Sequence, residues 1–179
     1  PATELRQLLE DDVSERAGKI LTAYALWSWA EVFDASLRDV VPPSAIPGIE
    51  RVARDCVESA GEGYRAGFDS LEIGYAILRG GALDRQPWSR LLAENRPGAQ
   101  RTGAPLYVAQ GTEDPIVRPA VTADFVRSLC GRGEVVRYEE LPGATHSRAA
   151  RVSASQAIQW MKARFDGQPA PDTCIEPKL

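Results

Sequence analysis

The chain has 179 residues, room for one ordinary domain or a small domain with an appendage. Its 21 Lys plus Arg stand against 25 Asp plus Glu, a net charge of -4 with no basic run, which argues against nucleic acid as the main partner. An apolar fraction of 44% with 26% charged residues suits a soluble globular chain and excludes disorder, collagen and coiled coil, and no stretch approaches the roughly 20 apolar residues of an integral membrane span.

The chain opens on Pro1, with neither an initiator Met nor a secretory signal, so it reads as a sequence from which something upstream has been removed. Leu5, Leu8, Leu9 and Val13 recur at helical spacing and predict a short amphipathic helix. A longer helical stretch from about Glu15 to Val41 follows, carrying Ile20, Leu21, Tyr24 and Trp27, then Leu37, Val40 and Val41. It stops at Pro42-Pro43, because neither proline continues a helix. Ile49, Val52, Ala53, Cys56 and Val57 form the cleanest stripe of period 3.6. Gly61, Gly63 and Gly67 mark a loop, and Leu71 to Leu78 reads as a helix halted by Gly80-Gly81. Nothing in these hundred residues alternates as a strand does.

Beyond residue 100 the character changes. The run from Ala104 to Gly111 is short, apolar and bounded by Pro and Gly, the pattern of a buried parallel strand. Val121, Phe125, Val126 and Leu129 predict a helix ending at Gly131, and Val135, Val136 and Tyr138 a second strand running into Leu141-Pro142-Gly143. Ser153 followed by Gln156 resembles a capping box, so the last helix is expected to start there, with Ala157, Ile158, Trp160, Met161 and Phe165 on its apolar side. Strand, crossover helix and parallel strand make a βαβ unit, hence an α/β fold. Two parallel strands need neighbours on both faces, so the pattern implies further strands outside the chain.

Three cysteines, Cys56, Cys130 and Cys174, show no C-x-x-C spacing, and with a single His they argue against a zinc or iron–sulfur site. At most one internal disulfide can form. A bond from Cys174, in a Pro-rich tail, to Cys130 at a predicted helix end would pin the C-terminus, leaving Cys56 free; three unpaired buried thiols are the alternative.

Two loops follow the predicted strands, at the sheet edge where α/β proteins collect their chemistry. One carries Asp114 and the other His146. Asp-Pro is also an ordinary turn opener, and a lone loop histidine is commonly solvated. Together, on successive strand ends with one helix between, they can form a pair in which the carboxylate fixes the imidazole tautomer and leaves the other ring nitrogen as a base. Trp27 and Trp29, with Tyr24 and Phe33, could line an acyl or aromatic-ester pocket, or could simply be helix-packing core. Gly61 to Gly67 superficially suggests a nucleotide loop, but no strand precedes it and its spacing is wrong.

The segment from Pro105 to Val117 resembles the acid-bearing strand and turn of α/β-hydrolases, Pro142-Gly143-Ala144-Thr145-His146 resembles their His loop, and Ser155 to Met161 their closing helix. The group most resembled is the secretory lipase family with its bacterial esterase relatives. That resemblance implies the C-terminal part of an α/β-hydrolase fold over residues 101–179 and a mostly helical cap over 1–100. It implies Asp114 as the acid and His146 as the base of a Ser-Asp-His triad in a secreted lipase or esterase acting on an ester or lipid, with no cofactor. No Gly-x-Ser-x-Gly elbow occurs, so the nucleophile is expected on a missing N-terminal half. Ser28, mid-helix, and Ser147, beside His146, are poor substitutes, and Glu113 reads as a solvated neighbour of the acid. The competing expectation is a non-catalytic fragment that associates through an exposed sheet edge, with that missing half or with a second copy.

Overall fold

The computed structural model describes residues 16–55 and 80–175, together with Arg6, Leu9, Ile73 and Leu78. Cys56, Val57, the loop at Gly61–Gly67, and most of the stripes at 5–13 and 71–78 lie outside the described residues. The chain divides into two compact units, one within Leu5–Asn95 and the other within Arg96–Leu179.

The first unit, as described, is helical. It contains α1 (Arg16–Phe33), α2 (Ile46–Arg54) and α3 (Trp88–Glu94), with 3₁₀ turns at Leu37–Asp39 and Pro43–Ala45 between the first two and another at Ala82–Asp84 before the third. The single helix expected from Glu15 to Val41 is interrupted. α1 ends at Phe33 because Asp34 takes a left-handed conformation (φ 51°), which Asp tolerates better than most residues. Ser36 then opens a fresh turn, its Oγ accepting from the Arg38 N–H at 3.3 Å. The new direction buries Val40 and Val41 completely, against Leu26, Ile49, Val52 and Trp88. Trp88 Nε1 donates to the Ser36 carbonyl at 3.3 Å, so this buried indole also anchors the break in the chain.

The second unit holds β1 (Leu106–Gly111), α4 (Pro119–Gly131), β2 (Val136–Leu141) and α5 (His146–Phe165). β1 and β2 run parallel with Leu106 opposite Val136 and Gly111 opposite Leu141. Alternate strand residues face opposite ways. Leu106, Val108, Val136 and Tyr138 pack on Phe125, Val126 and Leu129 of α4, whereas Tyr107 meets Trp160 of α5, ring centroids 5.7 Å apart. α4 ends at Gly131 as expected, and the residue that turns left-handed after it is Gly133 (φ 74°).

α5 departs most from expectation. It begins at His146, and Ser153 lies within it, its hydroxyl donating back to the Ala149 carbonyl at 2.8 Å rather than capping a helix start. Its inward stripe is Ser153, Ala157, Trp160 and Arg164, at helical spacing, while Ile158 and Phe165, 61% and 91% exposed, face outward with Met161.

Cys130 and Cys174 form a disulfide that ties the tail to the end of α4. The tail then covers the outer edge of β2. The Val136 N–H donates to Asp172 Oδ1 at 3.2 Å and the Tyr138 N–H to Thr173 Oγ1 at 2.9 Å. Side-chain oxygens thus serve amides that no strand among the described residues engages.

Candidate functional site

The site is built where β1 and β2 end. After Gly111 the chain turns through Thr112 and Glu113 to Asp114, and Pro115 then fixes the next φ while offering no amide hydrogen. The following two amides, Ile116 and Val117, therefore both donate to Asp114 Oδ1, each at 2.9 Å. This turn buries the carboxylate (side chain 5% exposed) and aims its second oxygen away from the turn. After β2, Gly143 adopts φ 66° and the chain enters α5 with His146 in its first turn. His146 thus starts a helix rather than lying in a loop, which fixes its backbone.

The two strand ends are tied together. Thr112 N–H donates to the Leu141 carbonyl at 3.1 Å, Glu113 N–H to the Ala144 carbonyl at 3.1 Å, and Gly143 N–H to Thr112 Oγ1 at 2.9 Å. These bonds need the backbones close, and Gly111 permits it: a Cβ there would lie 2.2 Å from the Ala144 oxygen.

Across this junction His146 Nδ1 lies 2.9 Å from Asp114 Oδ2. A carboxylate only accepts when ionised, so Nδ1 carries the hydrogen, and in the neutral imidazole that leaves the lone pair on Nε2. Nε2 has no hydrogen-bond partner among the described residues, and the imidazole is 46% exposed. Both side chains border an open hollow of about 430 Å³ that runs along the edge of β1 left unpaired among the described residues, with Val108, Phe125, Ala149 and Ala150 among its walls. An oriented imidazole with a free nitrogen over an apolar cavity can take a proton from a hydroxyl and return it to a leaving group. Among the described residues no group of three or more His, Cys, Asp and Glu is placed to hold a metal ion.

Comparison with known proteins gives this geometry a context. Residues 51–173 match the secretory lipase family. The chain belongs to the secretory lipase family. Among solved structures it is similar to Candida antarctica lipase A in its closed state, with a TM-score of 0.62 at 13% identity, over 93% of this chain and 42% of that one. The likeness shows the fold, the C-terminal part of an α/β-hydrolase preceded by a mostly helical region, and the chain spans less than half the length of that lipase. No curated protein matches it. At the level of the family, the chemistry is that of lipases, which are ester hydrolases.

In this secretory lipase chain the remaining expected residues fall as follows. Trp29 stacks on Trp88 with ring centroids 6.4 Å apart and meets Phe33 edge-on at 6.1 Å; Trp27 is half-buried against the same helical core. Ser28 is exposed on α1, Ser147 is exposed in the first turn of α5, and Glu113 is exposed beside the acid.

Two polar residues at the site escaped the sequence reading. Gln110 and Thr122 are 5% and 3% exposed, and Thr122 Oγ1 lies 2.6 Å from Gln110 Oε1. Their signal was present: a Gln inside a buried parallel strand and a Thr on the apolar stripe of α4 must each find a partner.

Proposed function

We propose that this chain supplies the acid and base of a Ser-Asp-His triad in a secreted carboxylic ester hydrolase, with the serine on chain outside these 179 residues. The observation that carries the reading is the 2.9 Å contact between buried Asp114 and half-exposed His146, with Nε2 left without a hydrogen-bond partner among the described residues. His146 accepts the serine proton as Oγ attacks the ester carbonyl, then protonates the departing alkoxide. Water repeats the cycle to release the acid, and Asp114 holds the imidazole throughout. The missing Gly-x-Ser-x-Gly and the 42% coverage of the structural relative support a nucleophile lying elsewhere. In this reading residues 1–100 form the cap over the acyl group, Trp27 and Trp29 contribute to its apolar lining, and no cofactor takes part. The family and the Cys130–Cys174 disulfide support an extracellular location. The test is His146→Ala in the complete enzyme: hydrolysis of a short-chain chromogenic ester should fall by at least about a thousandfold with the fold intact. A near-normal rate would sink the proposal.

One observation favours a second reading. Among the described residues β1 pairs only with β2, so its other edge offers a template for an added strand. A non-catalytic fragment would use that edge to bind a second copy or the missing N-terminal half. Sedimentation of this chain alone decides between self-association and a monomer, and a clean monomer counts against pairing with itself.

A further inference from the structure

The contacts behind Asp114 ask for a reason of their own. Gln110 is a buried amide at the penultimate position of β1, and its Nε2 faces three oxygens: the Gly111 carbonyl at 2.9 Å, the Val117 carbonyl at 3.0 Å and Asp114 Oδ2 at 3.4 Å. A flipped amide would point its own oxygen at three acceptors, so the orientation is determined by chemistry. Oε1 then faces Thr122, and the hydroxyl at 2.6 Å must be the donor. Gly111 and Val117 bracket the turn that carries Asp114. The amide therefore grips both ends of that turn and touches the carboxylate oxygen that holds His146.

We propose that Gln110 and Thr122 are positioning residues for the Asp114–His146 pair: Thr122 on α4 locks the Gln110 amide, and Gln110 holds the carboxylate on the line to Nδ1. This rests on the acid and base roles assigned above and extends them by two residues. Two Nε2 hydrogens serve three oxygens, the carboxylate contact being the longest, so Gln110 acts mainly by closing the turn and secondarily by direct donation. Thr122 brings in a separate element, so that the position of α4 against β1 is transmitted to the imidazole.

The chain contains one histidine, so ring-nitrogen NMR of the chain reads His146 alone. In the unmodified chain the Nδ1–H tautomer should dominate, with a downfield Nδ1 proton. Gln110→Met keeps the volume and removes the donor, and Thr122→Val keeps the shape and removes the hydroxyl. Each should lower the ratio of the Nδ1–H to the Nε2–H form by about three- to tenfold, the effect of one hydrogen bond, with helix content unchanged. Thr122→Ser should restore it, which a purely packing role for Thr122 does not predict. If Gln110→Met does not fold, Thr122→Val and its Ser rescue carry the test. An unchanged tautomer ratio in folded variants overturns the positioning role and leaves the acid and base assignment standing. Full ester turnover by His146→Ala in the complete enzyme overturns that assignment, and this inference with it.

Discussion

Gly111 shows how much of the site depends on one missing atom. The Ala144 carbonyl that a Cβ would strike at 2.2 Å is also the acceptor for Glu113 N–H, so Gly111→Ala pushes apart the turn that carries Asp114 and the segment that leads into His146. The expected loss is about 1–3 kcal/mol of stability, read as a lower denaturation midpoint, together with loss of the downfield Nδ1 proton. An unchanged midpoint would mean the loops can shift freely. Asp114 and His146 were legible in the sequence because turn chemistry and position after a strand are local properties. Gln110 and Thr122 were not read, since their meaning lies in a meeting between a strand and a helix twelve positions apart. The demand that a buried amide be satisfied pointed to a partner without naming it.

Among the elements, β1, α4 and β2 lay close to their expected places because a βαβ unit is written in contiguous runs with sharp turn residues. Both misread boundaries involve residues able to end or bend a helix. Asp34 breaks α1 where apolar spacing alone continues it, and Ser153 resembles a cap although its hydroxyl is satisfied by its own helix. The outward face of α5 was misread for a different reason: Ile158, Met161 and Phe165 are spaced as a core stripe, and periodicity cannot say what a stripe will meet. The tail is an element held by side chains rather than by a ladder. Closing a loop with a sequence separation of 44 contributes about 4 kcal/mol in the chain-entropy treatment. Cys174→Ser should therefore lower stability by about 2–4 kcal/mol, with faster hydrogen exchange at the Tyr138 amide, which Thr173 otherwise engages. Loss of stability without faster exchange there would separate the disulfide from the edge contacts.

For the molecule as a whole, alkaline pH is a distinctive stress. Tyr107 is pushed up to about 12, first by burial and then by its hydrogen bond to Glu139 at 2.6 Å. Tyr138 is likewise raised to about 12, first by burial and then by the nearby Glu140 carboxylate. Both folded values lie above the ordinary 10.0, so the unfolded chain loses these protons first. The stabilisation is complete below pH 10.0 and declines as pH rises towards about 12. Near-ultraviolet tyrosinate absorbance followed alongside helix content should show late ionisation of two tyrosines coinciding with unfolding, and early ionisation without unfolding would contradict it. The tail on the edge of β2 also imposes an order in time. Residues 172–174 leave the ribosome only after β2 and α5, so the outward amides of Val136 and Tyr138 stay uncovered from the time β2 emerges until the tail follows it. The nascent protein is most open to a wrong strand in that interval, and its end is marked by the Cys130–Cys174 disulfide, formed when an external thiol oxidant or disulfide exchange partner takes up the two electrons.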